Sequence, residues 1–319
     1  MDSGRPQLTD TNLIRTPKLI VIAGPTGSGK TELALRLAQT LDGEIVNYDS
    51  VQIYRGFDIG SAKPSPDQRS LVPHHLFDII EADEEFNAAD YALRAREICA
   101  DIHARGKRVI LAGGTFFYLR ALLSGLPEMP GRDESLRTRL ATIARHPRGP
   151  ARLHRWLSLV DPHSGSKIAA ADRHRVERAL EVWISSGRPI SSWERDTSHE
   201  LPSIKIALAP ERSRLGASLD ARVEAMYRQG LIEETRALLA RFPPTVRPFG
   251  TIGYKEAVAL LRGERTETDA ISETRRRTRA YAKRQMTWLR SERNVHWLDA
   301  NDPNHAHDAA LRLITEVDR

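Results

Sequence analysis

Gly24-Pro25-Thr26-Gly27-Ser28-Gly29-Lys30-Thr31 is the stretch that decides the fold. Its glycines, lysine and threonine stand at the G-x-x-x-x-G-K-T spacing of a phosphate-binding loop. The flanks suit that motif. The apolar run from Lys18 to Ala23 predicts a buried parallel strand, and Thr31 to Leu41 carries apolar residues at helical spacing. In this setting the glycines let backbone N–H groups turn inward around an anion, and the helix amino end adds its positive pole. Lys30 supplies a point charge and the Thr31 hydroxyl can hold Mg²⁺. The loop implies binding of a diphosphate or polyphosphate without making ATP the substrate.

Outward from the loop, short apolar strands alternate with helices. Glu44 to Tyr48, Arg108 to Ala112 and Ser203 to Ala209 read as strands. Asn87 can cap a helix that runs to about Arg105, where Gly106 stops it, and Phe116 to Leu123 reads as another. Such alternation predicts a parallel sheet covered by helices on both faces. Residues 132–186 show short helices and no strand pattern, between two Pro/Gly-rich junctions. The chain is therefore expected to be an α/β core over 18–128 and 203–319, with an all-helical insertion over 129–202 and a flexible tail over 1–17. Further helices are expected near 213–228, 231–241, 252–262 and 268–293.

The 319 residues, 40% hydrophobic, suffice for such a core with an insertion. The single cysteine, Cys99, permits no internal disulfide and no cysteine-rich zinc site; it reads as a small apolar residue in a reducing, cytoplasmic setting. The polar amino-terminal segment shows no signal peptide, and no run is long and apolar enough to span a membrane.

Ligands of open parallel sheets bind beyond the carboxyl ends of the strands. The loop, Asp49 and Thr115 all fall there. Asp49 reads as a general base, as a metal ligand through water, or as a helix cap or salt-bridge partner. Many nucleotide hydrolases end an apolar strand on an Asp that holds Mg²⁺; here Gly113, Gly114 and Thr115 follow the strand, which points away from motor and switch ATPases and towards group transfer. The polar, glycine-containing stretch from Asp49 to Pro64 is too long for a plain turn and reads as a working segment.

The net charge of +6 is modest, but the basic residues cluster. Arg276, Arg279, Lys283 and Arg290 share a face of one expected helix, with Tyr281 and Trp288 on another. The insertion carries Arg132, Arg137, Arg139, Arg145, Arg148, Arg152 and Arg155, and a further group runs from Arg173 to Arg178. Any one cluster reads as a solvated face; together they suit a polyanion backbone. His74-His75 lacks partners at metal-ligand spacing and reads as structural. Phe116, Phe117, Trp193, Trp288 and Trp297 read as packing residues.

The loop, the segment from Asp49 to Pro64, Val72-Pro-His-His-Leu76, Gly113-Gly-Thr-Phe-Phe-Tyr-Leu-Arg-Ala-Leu122, Arg178-Ala-Leu-Glu-Val182, Ile252-Gly-Tyr-Lys-Glu256 and Ala282-Lys-Arg-Gln-Met-Thr-Trp288 together resemble the tRNA dimethylallyltransferases, in order, from about residue 18 to 300. The second motif and the Lys-Arg-Gln-x-Thr-Trp motif are the specific ones. The resemblance implies a P-loop NTPase-like, kinase-like core with a helical insertion. It implies transfer of a dimethylallyl group from its diphosphate to N6 of the adenosine just 3′ of the anticodon, in tRNAs reading codons that begin with U. Gly24 to Thr31 would hold the donor diphosphate, with Mg²⁺ on Thr31. Asp49 would take the N6 proton, Thr115 would fix the adenine, and Arg222 would lie near the diphosphate. RNA contact would fall to Asp49, Ser50, Val51 and Gln52; to Thr115 and Arg137; to His174, Arg175, Val176, Glu177 and Arg178; to Gly250, Thr251, Ile252, Gly253, Tyr254 and Lys255; and to Thr278, Arg279, Ala280, Tyr281, Ala282, Lys283, Arg284 and Gln285. Phe116-Phe117 replaces a smaller pair, which could reshape the prenyl pocket. A monomer is expected. Two other readings remain open at this stage: a small-molecule or nucleotide kinase, and an RNA-binding module whose loop is a structural anion site.

Overall fold

The computed structural model describes residues 18–193 and 200–318. The tail expected over 1–17 and part of the second junction lie outside the described residues. The chain divides into two compact units: Ser124–Glu200, and the remainder on either side of it, up to Leu123 and from Leu201. The insertion was expected over 129–202.

Among the described residues, the larger unit is built on a six-stranded parallel sheet. Its strands are β1 Leu19–Ala23, β2 Gly43–Asn47, β3 His74–His75, β4 Arg108–Ala112, β5 Ser203–Ala209 and β6 Val295–Asp299, in the spatial order β3-β2-β4-β1-β5-β6. All five residues of β1 are buried, because helices cover both faces of the sheet and neighbours β4 and β5 flank it. Ile20, Ile22, Ile110 and Ile206 pack there against Leu33 and Leu37 of the helix Lys30–Thr40. Each such fully buried side chain contributes about 1.5–3 kcal/mol of transfer free energy.

The local signals act as read at the helix Ala88–Ala104. Asn87 accepts from the Ala89 and Asp90 amides, Asp90 returns a bond to the Asn87 amide, and Gly106 ends the segment in the left-handed region. Several elements escape the sequence reading, among them the short helix Pro66–Leu71. The pair His74-His75 forms the edge strand β3, while β6 and the helix Pro303–Asp318 close the chain. β3 also explains a buried acid. Glu44 is a charged residue on a covered strand, and it accepts from His75 Nε2 at 2.7 Å and from the Arg105 guanidinium. The Arg105 bonds, opposed by burial and helped by His75, hold the Glu44 carboxyl down at about 2.

The smaller unit packs the helices Glu134–Arg145, Gly149–Val160, Pro162–Lys167 and Arg173–Ser186 around Leu140, Leu153, Leu157 and Leu180. Glu181, a buried acid of this unit, meets Arg137 at 2.8 Å and Arg178 at 2.7 Å. Burial pushes the Glu181 carboxyl up, but those bonds and the Asp133 amide prevail and bring it to about 2.

Candidate active site

The carboxyl ends of β1, β2 and β4 open onto a cavity of about 540 Å³. Its floor is the loop after β1, from Thr26 to Thr31. Gly27 and Gly29 take φ of 77° and 85°, values that favour glycine, so the backbone can fold its amides towards the cavity. The following helix starts on Gly29 with no side-chain cap, which leaves its first amides for a ligand. Ser28 Oγ is buried with no hydrogen-bond partner among the described residues. Lys30 Nζ donates to the Pro25 carbonyl at 2.7 Å. Gly24 and Pro25, the first two residues of the loop, do not line the cavity.

Asp49 follows β2. Its amide donates to Asn47 Oδ1 and its Oδ1 accepts from the Val51 amide, both at 2.9 Å, so the carboxylate is fixed by its own turn. Burial raises the Asp49 pKa, against the Val51 and Gln52 amides and the charges of Lys30 and Arg222. Oδ2 faces Gly114: a β-carbon there would stand 2.9 Å from it. Thr115 Oγ1 accepts from the Ser50 amide and donates to Ser50 Oγ, each at 3.0 Å, which ties the turn after β4 to the one after β2.

Arg222 enters from the helix Arg212–Arg228 and has no carboxylate at salt-bridge distance among the described residues. Burial, then the Arg222 charge, lowers the Lys30 ammonium to about 7, while Asp49 opposes them. Lys30, Arg222 and Arg277 line the recess against the carboxylates of Asp49 and Glu32, a set of charges that suits an anion. Apolar lining comes from distant parts of the chain: Val223 and Met226 from the helix Arg212–Arg228, Ile252 from the turn before the helix Tyr254–Leu261, and Phe77 beyond β3. Val223, Met226, Phe77 and Arg277 were missed in the sequence, where nothing local marks them, whereas Ile252 is one of the residues that the resemblance assigned to RNA contact.

Of the residues assigned to RNA contact, Asp49 to Gln52, Thr115, Thr251, Ile252, Thr278, Tyr281 and Gln285 line this cavity. Gly250, Lys255, Arg279, Lys283 and Arg284 are exposed. His174 and Arg175 are exposed on the helical unit. Other assignments are corrected by burial. The side chains of Val176 and Ala282, each 2% exposed, and of Tyr254, at 0%, offer no surface to an RNA and serve as packing. Tyr254 donates to Glu234 at 2.6 Å and accepts from the Gly60 amide at 3.1 Å. Glu234 in turn accepts from the Ile59 amide at 2.9 Å, so these two side chains shape the 49–64 segment from behind. Arg137 and Arg178 spend their charge on Glu181, and Glu177 faces Arg173. In the basic helix Glu267–Ser291, Arg275, Arg276, Arg277 and Arg279 pair with Glu224, Glu273, Glu256 and Asp220. Lys283 and Arg284 have no acidic partner among the described residues; Arg284 lies over the Tyr281 ring, 5.7 Å from its centroid.

The packing residues also divide. Phe116 is buried and stacks on Trp288 at 4.3 Å, whereas Phe117 is 59% and Trp297 40% exposed. Both point outward because of their places, on the outer side of a surface helix and on the edge strand β6.

For Mg²⁺ the donor set is small. Among the described residues no group of three or more His, Cys, Asp or Glu gathers, but Thr31 lines the cavity and Ser28 Oγ is unpartnered. One or two hydroxyls suit an ion that takes its other oxygens from phosphate and water.

A family model described as IPP transferase matches residues 52–292. The chain is 49% identical over 288 residues to a tRNA dimethylallyltransferase 2 of Geotalea uraniireducens (strain Rf4), covering 88% of this chain and 92% of that protein. The structure of a full-length tRNA isopentenylpyrophosphate transferase from Bacillus halodurans superposes with a TM-score of 0.68 at 35% identity, over 95% of this chain and 99% of the other. A eukaryotic dimethylallyltransferase acting on tRNA superposes with a TM-score of 0.74 at 28% identity, over 94% of this chain and 79% of its own.

Proposed function

The chain belongs to the IPP transferase family, and from that premise we propose that it transfers a dimethylallyl group from dimethylallyl diphosphate to N6 of the adenosine just 3′ of the anticodon, in tRNAs reading codons that begin with U. The observation that carries the reading is the meeting of Lys30, Arg222 and Asp49 in one cavity above a phosphate loop. Membership of the family sets the kinase reading aside.

An adenine N6 amine is a weak nucleophile because its lone pair is shared with the ring. Removing a proton as the new C–N bond forms restores it. Asp49 takes that proton, and a positioned base of this kind gives about 10²–10⁴-fold. Burial keeps the carboxylate more basic than in water, which suits the task. The allylic C–O bond breaks as the C–N bond forms, and its electrons leave with the diphosphate. The loop amides, Lys30 and Arg222 face that growing charge; one such donor is commonly worth about 3 kcal/mol. Strands two places apart lie roughly 10 Å from each other. β2 and β1 have that relation, which gives the allylic group and the amine room between carboxylate and diphosphate. The apolar lining from Val223, Met226 and Phe77 takes the hydrocarbon. Mg²⁺ on Thr31 would add positive charge on the diphosphate oxygens.

The adenine leaves its stack to enter, at a cost of roughly a few kcal/mol. Lys283 and Arg284, free of acidic partners, are the cations best placed on the basic helix to offset it by gripping phosphate. The reading has the enzyme work as a cytoplasmic monomer, which sedimentation checks. The direct test is mass analysis of nucleosides from unmodified tRNA incubated with the protein, Mg²⁺ and dimethylallyl diphosphate. The expected product is N6-isopentenyladenosine at that one adenosine; unmodified nucleosides with an active control enzyme would sink the proposal.

A further inference from the structure

Gln285 lies in the basic helix between cations that face outward, yet its side chain is only 3% exposed. Its Oε1 accepts from the Thr26 amide at 2.8 Å, and its Nε2 donates to the Gly114 carbonyl at 3.1 Å. The first partner belongs to the phosphate loop. The second belongs to the turn that backs Asp49: a β-carbon on Gly114 would meet Asp49 Oδ2 at 2.9 Å and Gln285 Nε2 at 3.1 Å. Tyr281 supports the same carbonyl with a bond of 2.9 Å. One buried amide therefore spans the part of the site that holds the leaving group and the part that holds the base.

The chemistry of the two partners fixes the residue. One side offers an N–H and the other a C=O, so the group between them must accept at one end and donate at the other. A glutamate would face the Gly114 carbonyl with a second acceptor, and a lysine would face the Thr26 amide with a second donor. The oxygen and one N–H of the amide are thus engaged inside the protein, and the side chain is almost wholly buried.

We propose that Gln285 is a positioning residue for prenyl transfer: it sets the separation between the diphosphate loop and Asp49, and so the distance over which N6 must travel to the allylic carbon. This rests on the function proposed above. A misplacement of reacting groups by about 1 Å costs on the order of 10²-fold in rate, and a hydrogen-bonded link across the site is what prevents it.

The test is steady-state and equilibrium measurement on the full chain, with the wild type beside Gln285→Met, which keeps length and removes both bonds, and Gln285→Glu, which keeps only the acceptor. For Gln285→Met, kcat should fall by about 10²-fold while KM for dimethylallyl diphosphate and Kd for the tRNA stay within about threefold, and the acidic limb of the pH profile keeps its position. Gln285→Glu should also lose kcat and should shift that limb upward, because a second carboxylate now faces Asp49. A rise in tRNA Kd with kcat intact would make Gln285 an RNA contact and overturn the proposal. So would collapse of melting temperature and all kinetic constants together in both variants, which marks a residue needed only for folding. If the wild type itself transfers no prenyl group, the proposed function fails instead, and the two failures are told apart.

Discussion

Asp49 has a geometry that separates its chemistry from binding. One oxygen is held by the Val51 amide, and the carboxylate sits in a recess that burial makes more basic. Asp49→Asn keeps the shape and removes the base; single-turnover transfer should fall by about 10²–10⁴-fold with tRNA affinity nearly unchanged. Equal loss of both would assign the residue to binding alone. Gly114→Ala approaches the same carboxylate from its other side, where the new β-carbon would stand 2.9 Å from Oδ2. The carboxylate must shift, so transfer should drop as it does for Asp49→Asn while the melting temperature moves little. Lys30 is the residue whose charge depends on occupancy. Empty, it titrates at about 7 because burial and Arg222 oppose its charge. A bound diphosphate favours the ammonium. Below that pH the proton is already present and donor affinity is full; as pH rises through it, binding must take up a proton and weakens. Calorimetry near about pH 8, in buffers of different ionisation enthalpy, should record proton uptake that Lys30→Met abolishes. Identical uptake in the variant would place the lysine away from the anion.

Elements show why some of this was legible in sequence and some was not. The phosphate loop is local: its strand, glycines and helix occupy one short stretch, and each carries its own signal. The apolar runs of β1, β4 and β5 are equally plain, since both faces of each are covered. β3 is two histidines long at a sheet edge, and β6 has no buried residue, only exposed and half-buried ones, so neither writes a continuous apolar run. The long-range contacts that close the cavity were illegible for another reason. Gln285 meets Thr26 across 259 residues, and nothing near Gln285 in sequence announces that meeting. Burial of Tyr254 and Val176 likewise depends on partners far along the chain. The Glu44 clamp between β2 and β3 yields a stability prediction. Its folded carboxyl titrates at about 2, below the usual value of 4.5, so its contribution is complete above the unfolded value and disappears as pH falls through the folded one. Glu44→Gln should cost about 2–3 kcal/mol at neutral pH, less than the ~3–5 of a fully buried broken pair because Arg105 is half exposed. Its urea midpoint should lie closest to that of the wild type at the acid end of that window; a constant gap across pH would rule out the clamp.

For the whole molecule, composition misleads about where charge is available. The net charge of +6 and the many arginines suggest a broadly basic surface. Four of the six arginines of the helix Glu267–Ser291 are instead matched to acids, three of them on neighbouring elements, and Arg137 and Arg178 are matched to Glu181. The free cations are fewer. Replacing Lys283 and Arg284 by Gln should weaken tRNA binding and lower the slope of log K against log salt by about one per residue, whereas Arg276→Gln should change it less. An unchanged slope in the double variant would remove both from the interface. The contact between the Lys30 ammonium and the Pro25 carbonyl, at 2.7 Å, has its own bearing on turnover. The chain keeps a substitute of its own for the phosphate oxygen, within reach of the same ammonium. Product departure is then an exchange of one oxygen for another, and the enzyme avoids being trapped by the tight grip that its chemistry requires.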